Sequence, residues 1–497
     1  MTEEDLIPET GAVFTYGKSE FADNIPSHFF IRNDPVVEIS CGDEHSGIVC
    51  RNGRVFCFGR NTFGQLGLGH KENVYKPNCV KSLKPEKIKH VACGRSHTIV
   101  STENGVIYGF GDNSNGQLGQ PVSTDGSSIP IQITKFDDNI IQLAAGSHHT
   151  AALIENGDVY VWGSNSEKQL GVECSNGSFS VRTPTIVSIF QPVVYISCGS
   201  NHSAFVTKTG DLHTCGNREY GKLGHDFLSL HKVDFTERII QVSCGANHTI
   251  ALNDSGKVFV CGINDCGQIG LKGVTSQGHL YPCSITNERI VSIKCGDNHS
   301  AFITASGKLF TCGDGKYGKL CVEVDKASIP VLVTDFVNRQ LKVQMVSCGA
   351  NHTLVHAEPA EDDPQADNFQ IKNTLHESLP PLKIQKKTPE KCKEQINVSQ
   401  PLLNENEEKN YVVKDSYKEI IVPTTNQLNS SKDKINDHHN AANETINKYV
   451  NEKSTVTQRI DNNQSMNTND EQLEVKNINK FKYPKNARVK SRLCAIL

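Results

Sequence analysis

The block that decides the fold reads Cys93-Gly94-Arg95-Ser96-His97-Thr98-Ile99-Val100, and Asn104-Gly105 and Gly111 follow it. The pattern occurs seven times, always with a serine or threonine after the histidine, although Ala145 replaces the cysteine in the third copy. The seven histidines are His45, His97, His149, His202, His248, His299 and His352. They recur at intervals of 46 to 53 residues. A period near fifty predicts an array of units that bury one another's faces.

Each repeat is predicted to be a small antiparallel sheet. Its apolar runs are short and rich in β-branched and aromatic residues, which is typical of strands. Between two such runs, Asn104-Gly105 predicts a hairpin turn in which both residues have positive φ. The same pair recurs at Asn52-Gly53 and Asn156-Gly157. A second glycine, at the position of Gly111, marks the start of a glycine-punctuated loop in each of the first six copies.

The seventh copy lacks both glycines, and the missing piece is found near the start of the chain. The stretch Gly11-Ala12-Val13-Phe14-Thr15-Tyr16-Gly17 parallels Gly53-Arg54-Val55-Phe56-Cys57-Phe58-Gly59 of the first copy. A repeat that is split between the two ends of an array indicates a closed ring rather than an open solenoid. We therefore predict an all-β fold, a seven-bladed β-propeller over residues 1–357 that is closed by the N-terminal strand.

The recurring histidine could be a catalytic base or a metal ligand, because cysteine and histidine are both zinc ligands. A structural role is the favoured interpretation, since seven equivalent positions are not how a catalytic site is built. The hydroxyl residue after each histidine suggests a repeated buried hydrogen bond from the imidazole to the backbone. We assign no catalytic and no metal-binding residue. The regularly recurring Asp112, Asp265 and Asp314 are interpreted as turn residues. Four cysteines near strand ends are interpreted as small core residues: Cys57, Cys215, Cys261 and Cys312.

The composition of the chain indicates which partners it attracts and in which cellular compartment it resides. The 497 residues carry a formal net charge of -4, which offers no general attraction to nucleic acid, and the N-terminus is acidic. No secretory signal or membrane span is recognised. The 18 cysteines are therefore interpreted as reduced thiols of a cytoplasmic protein.

Beyond the repeats the sequence becomes polar. Residues 358–475 are predicted to be a disordered linker, because their low hydrophobicity cannot offset the loss of chain entropy on folding. Short pieces such as Asn410-Tyr411-Val412-Val413-Lys414 could dock onto a partner, but solvated linker is the favoured interpretation.

The residues 476–497 predict a lipid anchor. Cys494-Ala495-Ile496-Leu497 fits the C-a-a-X prenylation rule, and the terminal leucine favours geranylgeranyl on Cys494. A basic run precedes it and is expected to contact anionic membrane: Lys480, Lys482, Lys485, Arg488, Lys490 and Arg492. One lipid together with a polybasic stretch makes a two-signal anchor. The alternatives are a free cysteine and a basic run of the nuclear-localisation type. We expect no cofactor other than this covalent lipid.

The repeats resemble those of the regulator of chromosome condensation family, whose pattern runs CGxxHTxxLxxxGxVYxFGxNxxGQLG. The resemblance covers residues 10–357 and includes all seven copies. Lys168 and Cys321 depart from it, because each replaces an expected glycine, and we expect those two loops to be less tightly turned.

Within that family, three segments resemble the ciliary members: residues 11–22, 40–46 and 83–87. This resemblance implies a prenylated propeller scaffold and GTPase regulator at the ciliary basal body and transition zone, which supports cilium assembly and ciliary protein trafficking. The implied partners are a small GTPase, ciliary scaffold proteins, the prenyl-binding delta subunit of the phosphodiesterase and a membrane surface, but no nucleic acid. The alternative is an enzyme-like guanine-nucleotide exchange factor. It is less favoured, because the near-constant repeat spacing leaves no room for a long wedge insertion.

Overall fold

The computed structural model describes residues 7–121, 125–174, 178–227 and 229–360. Within these ranges, 28 strands form seven antiparallel sheets of four strands each. One edge strand of every sheet, the strand that precedes the Gly-x-x-His turn, is the innermost. It lies against the innermost strands of the two neighbouring sheets and lines a central channel. The predicted seven-bladed propeller is confirmed.

The strands of the first half of the propeller are β1 (Ala12–Gly17), β2 (Ser27–Phe29), β3 (Val36–Cys41), β4 (His45–Cys50), β5 (Val55–Gly59), β6 (Val74–Cys79), β7 (Ile88–Cys93), β8 (His97–Thr102), β9 (Val106–Asp112), β10 (Gly126–Lys135), β11 (Ile140–Ala145), β12 (His149–Ile154), β13 (Val159–Ser164) and β14 (Ser180–Ile186). Those of the second half are β15 (Val193–Cys198), β16 (His202–Thr207), β17 (Leu212–Gly216), β18 (His231–Lys232), β19 (Ile239–Cys244), β20 (His248–Asn253), β21 (Val258–Ile263), β22 (Ser276–Cys283), β23 (Ile290–Cys295), β24 (His299–Thr304), β25 (Leu309–Asp314), β26 (Lys326–Leu332), β27 (Leu341–Cys348) and β28 (His352–Pro359).

Blades 1 to 6 each use four consecutive strands, beginning with β3–β6. Blade 7 has the order β2-β1-β28-β27 and so takes two strands from each end of the repeat array. The described helices are short: one α-helix, Thr334–Asn338, and 3₁₀ turns at Phe21–Asn24, Lys81–Leu83, Glu219–Gly221 and Lys316–Gly318. None of the helices in the described ranges is long and apolar enough to cross a bilayer.

Blade 7 is closed as the split repeat predicts. Strand β1 pairs with β28 along its whole length, from Ala12 opposite Ala357 to Gly17 opposite His352. The latter pair is equivalent to Gly59 opposite His45 in blade 1. Strand β28 continues to Pro359 and therefore extends beyond the predicted boundary at 357. The remaining predicted segments, 361–475 of the linker and the basic residues 476–497, lie outside the described residues.

The Asn-Gly turns differ from the prediction. Gly53 has a φ of 79°, but Asn52 does not share this left-handed conformation. The Gly53 amide donates to the Cys50 carbonyl at 2.8 Å, so the central residues of the tight turn are Arg51 and Asn52 and the glycine follows it. A three-residue loop of this kind needs only one left-handed residue, because the turn proper uses ordinary right-handed backbone.

The two loops that lack an expected glycine keep the same backbone shape. Lys168 has a φ of 66° and Cys321 a φ of 60°, and Gly64 and Gly67 at equivalent positions of blade 1 have φ values of 83° and 67°. The expectation of a looser turn is therefore wrong. The turn is fixed by hydrogen bonds that every loop makes, such as the one from the Cys321 amide to the Gly318 carbonyl at 3.0 Å, and these hold a non-glycine residue in the left-handed region.

The hydrophobic core lies between blades. One cluster packs Val49 and Cys57 of blade 1 against Ile88 and Val100 of blade 2, and the other clusters combine neighbouring blades in the same way. The four cysteines predicted to be core residues are buried, and the cysteines of the described ranges are all free thiols. Each blade therefore depends on its neighbours to bury its apolar faces.

Candidate functional site

The propeller has two different faces around its channel. On one face lie the seven Gly-x-x-His turns that join the first and second strands, together with the loops that follow the third strands; we call it the turn face. The pairing of His45 with Gly59 places these two loop types at the same end of a blade. The opposite, hairpin face carries the Asn-Gly type turns and the connections between blades.

The repeated histidines form a ring beneath the turn face. Each imidazole Nε2 lies within hydrogen-bonding distance of the hydroxyl that follows the histidine of the next blade. The distances are 2.9 Å (His45 to Thr98), 3.1 Å (His97 to Thr150), 2.9 Å (His149 to Ser203), 2.8 Å (His202 to Thr249), 2.9 Å (His248 to Ser300), 2.8 Å (His299 to Thr353) and 2.9 Å (His352 to Ser46). The predicted bond from the imidazole to the backbone is therefore wrong, because the partner is a side chain of the neighbouring blade.

The hydroxyls extend this network to the loops. Thr98 Oγ1 donates to the Gln65 carbonyl at 2.7 Å, and the hydroxyls of the next five blades make the same kind of bond. Since a hydroxyl has one hydrogen, it must accept from the imidazole, so His45 carries its proton on Nε2. Burial lowers the pKa of His45 to about 3. The histidines are thus neutral links between blades.

A ring of glycines explains why the blades can approach so closely. A Cβ on Gly42 would lie 2.2 Å from the Gly94 carbonyl oxygen of the next blade, and one on Gly349 would lie 2.3 Å from the Gly42 oxygen. The same contact recurs at every blade junction. No side chain fits at these positions, so the invariant glycine of the Cys-Gly-x-x-His block is required by packing.

In six of the seven turns, the first of the two variable residues lines the mouth of the channel. Three of these first residues are charged: Asp43, Arg95 and Asp297. Arg95 Nε lies 3.1 Å from Asp43 Oδ2. Burial, with the charge of Asp297 adding to it, raises the pKa of Asp43 to about 7 against the opposing effect of Arg95. Burial likewise raises the pKa of Asp297. One guanidinium therefore faces two carboxyl groups that hold protons more tightly than usual.

A second charged group lies at the seam where the ring closes. Glu44 is bonded at 2.9 Å by Lys18, which follows β1, and at 2.6 Å by Arg60, which follows β5. Burial alone would raise the pKa of Glu44, but the hydrogen bonds from Lys18 and Arg60 hold it below its usual value. This carboxylate ties the N-terminal strand to blade 1.

Two lysines are buried under the turn face. Lys222 and Lys319 occupy the loop position that is Gln65 in blade 1. Lys222 Nζ donates to Asn247 Oδ1 at 2.6 Å, and burial lowers the pKa of Lys222 to about 8. Lys319 Nζ donates to Asp314 Oδ2 at 2.7 Å and to the carbonyl of Ala350 at 3.2 Å. Both ammonium groups therefore reach into the turn of the next blade.

Three exposed aromatic side chains lie on the turn face. Phe63, Tyr220 and Tyr317 occupy one equivalent loop position in blades 1, 4 and 6, and they are 45%, 50% and 51% exposed. Tyr220 and Tyr317 have φ values of 61° and 66°. Exposed aromatic side chains next to charged groups are typical of surfaces that bind proteins.

The structure places the sequence-predicted residues as follows. Asp112 and Asp265 accept bonds within their own loops, from the amides of Ser114 at 3.0 Å and Cys266 at 2.8 Å, as turn residues do. Asp314 does so too, and it also holds Lys319. Cys494 and the six basic residues before it lie outside the described residues. Sequence reasoning missed Asp43, Arg95 and Asp297, although their signal was charge at the variable positions of an otherwise constant block.

Comparison with family models matches the RCC1-like domain over residues 86–361. Models of the single regulator of chromosome condensation (RCC1) repeat match residues 52–101 and 36–65.

Two curated relatives are informative. The chain is 44% identical over 410 residues to the human X-linked retinitis pigmentosa GTPase regulator, and the match covers 72% of the chain and 36% of that relative. This confirms the likeness inferred from the repeats and from residues 11–22. The chain is also 31% identical over 335 residues to the secretion-regulating guanine nucleotide exchange factor of Bos taurus, with 64% and 62% coverage. The match to the human regulator thus spans about a third of that protein's length.

Two solved structures share the fold. Yeast Prp20p, whose structure is described together with its binding to Gsp1p and histones, has a TM-score of 0.64 at 19% identity and covers 72% of this chain and 94% of its own. Human WBSCR16 has a TM-score of 0.63 at 23% identity and covers 70% and 99%.

Proposed function

Because the chain belongs to the RCC1-like domain family, we propose that its propeller is a regulatory scaffold whose turn face binds a small GTPase. The observation that carries the proposal is the cluster of Asp43, Arg95 and Asp297 at the channel mouth, on the face that also exposes Phe63. Charged groups on a rigid frame, with aromatic anchors around them, suit recognition of a folded protein surface.

The relatives support a GTPase as the partner. One is named as a GTPase regulator and another as a guanine nucleotide exchange factor, and the binding of Gsp1p is attributed to yeast Prp20p. For this chain, non-catalytic regulation is favoured over nucleotide exchange, because the repeat spacing stays within 46 to 53 residues and leaves no long insertion to act as a wedge.

The test is capture of small GTPases by the full chain. Each GTPase is presented nucleotide-free, loaded with diphosphate, and loaded with a triphosphate analogue. Preference for the triphosphate form supports a scaffold or effector role, whereas preference for the nucleotide-free form supports the exchange alternative. Arg95→Glu should reduce capture at least tenfold, and Lys257→Glu on the hairpin face serves as the matched control. Failure of all three forms to bind would overturn the proposal.

We extend the proposal to location. The likeness to the retinitis pigmentosa GTPase regulator supports a role at the ciliary base, with ciliary scaffold proteins and the prenyl-binding phosphodiesterase delta subunit as partners. Prenylation of Cys494, assisted by the basic run from Lys480 to Arg492, would supply membrane attachment.

The lipid is tested separately from the propeller. Cys494→Ser should abolish the mass increase of a geranylgeranyl group and release the protein from membranes, and Cys392→Ser is the matched control. If the wild-type Cys494 carries no lipid, this part of the proposal fails while GTPase binding is unaffected.

A further inference from the structure

The innermost strands share a β-bulge at one position. In blade 1, Val36 is opposite Cys50 and Glu38 is opposite Val49, so Val37 has no counterpart on β4. The same irregularity occurs in all seven blades. The extra residues are Val37, Lys89, Ile141, Val194, Ile240, Val291 and Gln344. A bulge re-aims one side chain at the edge of a sheet, and repeated bulges do so around a ring.

These residues surround the channel on the hairpin face. The bulge lies in the first half of each innermost strand, towards the end opposite the Gly-x-x-His turns. The residue after it, such as Glu38 or Tyr195, lines the channel. The seven bulged residues are therefore a collar around the second mouth of the channel.

Five members of the collar are apolar and exposed. Four of them belong to the consecutive blades 3 to 6: Ile141, Val194, Ile240 and Val291, with exposures of 41%, 46%, 39% and 49%. Phe190, four residues before Val194 in the connection between blades 3 and 4, is fully exposed. We call the four collar residues of blades 3 to 6, together with Phe190, the apolar crescent. The polar Lys89 and Gln344 at equivalent positions show that the fold does not require an apolar residue there.

A basic lip adjoins one end of the crescent. Lys89 is the collar residue of blade 2, next to Ile141 of blade 3, and Lys84 precedes it in the connection from blade 1. Both lysines are exposed, and neither forms an ion pair with any other described residue. The carboxylates near them are engaged elsewhere: Glu86 accepts from the Tyr108 hydroxyl at 3.3 Å, and Glu103 lies 4.0 Å from Lys87.

We infer that the apolar crescent and the basic lip form a docking site for an acidic amphipathic helix of a partner protein. Aliphatic side chains spaced three and four residues apart would cover the crescent, and carboxylates beyond them would pair with Lys84 and Lys89. The site lies on the face opposite the proposed GTPase site, so the propeller could hold two partners at once.

The test is selection of displayed helices on the immobilised full chain. One library has aliphatic residues at positions i, i+3, i+4 and i+7 with glutamate elsewhere, and a second library has lysine in place of glutamate. We expect the acidic library to be enriched at least tenfold on the wild type and to lose that enrichment on Phe190→Asp and Ile240→Asp. Phe190 makes a safe variant because its exposed side chain supports no packing, and Phe63→Asp on the turn face is the matched control.

Charge reversal gives the sharpest readout, since the Lys84→Glu, Lys89→Glu double variant should prefer the basic library. Equal enrichment of both libraries, or binding that survives Ile240→Asp and Phe190→Asp, overturns the inference. Two other occupants would overturn it as well. One is a second copy, shown by self-association in light scattering that Ile240→Asp abolishes, and the other is lipid, shown by crescent-dependent binding to phosphatidylcholine vesicles.

Discussion

His352 Nε2 of blade 7 lies 2.9 Å from the Ser46 hydroxyl of blade 1, and the two side chains form a hydrogen bond. This bond joins residues near opposite ends of the propeller sequence and completes the ring of seven inter-blade contacts. The same junction is held by the pairing of β1 with β28 and by the Lys18–Glu44 ion pair. Closure therefore depends on the histidine ring near the channel and on strand exchange farther out.

The hydroxyl of Thr98 is expected to contribute strongly to stability. Thr98→Val keeps the shape of the side chain but leaves His45 Nε2 and the Gln65 carbonyl without their buried partner. We expect the free energy of unfolding to fall by about 2 kcal/mol or more, since two buried polar groups lose their partner and each such loss costs about 1–3 kcal/mol. Urea unfolding measures the change. Thr98→Ser retains the hydroxyl and should lose less than half as much; equal losses would show that the methyl group matters rather than the bond.

Strand β1 should be necessary for the closed ring. Deletion of residues 1–17 leaves β28 with a long unpaired edge and removes Phe14, which packs in the core cluster between blades 6 and 7. The melting temperature should drop by more than 10 °C, and aggregation should increase. Deletion of residues 1–6, which leaves β1 intact, is the control. A synthetic peptide of residues 7–30 added in trans should restore part of the loss, and an unchanged melting temperature in the longer deletion would contradict closure by this strand.

Much of the fold could be predicted because the constant residues of the repeat stand at positions that the backbone geometry requires. Gly59 and its equivalents recur where the third strand passes the start of the second, and the split repeat near Gly17 indicates that the ring is closed. The partner of each histidine could not be predicted, because it belongs to the next blade. The meeting of Asp43 with Asp297 across the channel mouth depends on ring closure, which places distant turns side by side.

The histidine ring makes the propeller sensitive to acid. Burial lowers the pKa of His149 to about 3 and of His352 to about 4, whereas an unfolded histidine titrates near 6.5. Below about pH 6.5 the unfolded chain takes up protons that the folded ring refuses, so stability falls with pH by up to about 1.4 kcal/mol per histidine per pH unit. Asp43 has the opposite effect, because its pKa is raised to about 7 in the folded protein. Between that pH and the lower pKa of an unfolded aspartate, the folded state binds the proton more tightly, so this group adds stability as the pH falls.

Seven histidines outweigh the two raised carboxyls. Calorimetry from pH 8 to pH 5 should therefore show a melting temperature that is highest near neutrality and drops steeply below about pH 6. Asp43→Asn removes one opposing group and should make the drop steeper. A melting temperature that stays constant from pH 7 to pH 5 would contradict the neutral, buried ring.

The glycine ring sets the distance between blades, and Gly94 provides its most direct test. In Gly94→Ala the new Cβ would lie 2.3 Å from His97 Cε1 and 2.5 Å from the Gly146 carbonyl oxygen of the next blade. Relief requires blades 2 and 3 to separate, which strains the hydrogen bond from His97 to Thr150 as well. We expect a loss of about 3 kcal/mol or more, the upper range for overpacking. Gly278→Ala is the matched control, because a Cβ there meets nothing within 4 Å, and its free energy of unfolding should change by less than about 0.5 kcal/mol. Chemical denaturation of both variants decides the matter: if Gly94→Ala is as stable as Gly278→Ala, the close approach of neighbouring turns does not hold the ring at its observed diameter.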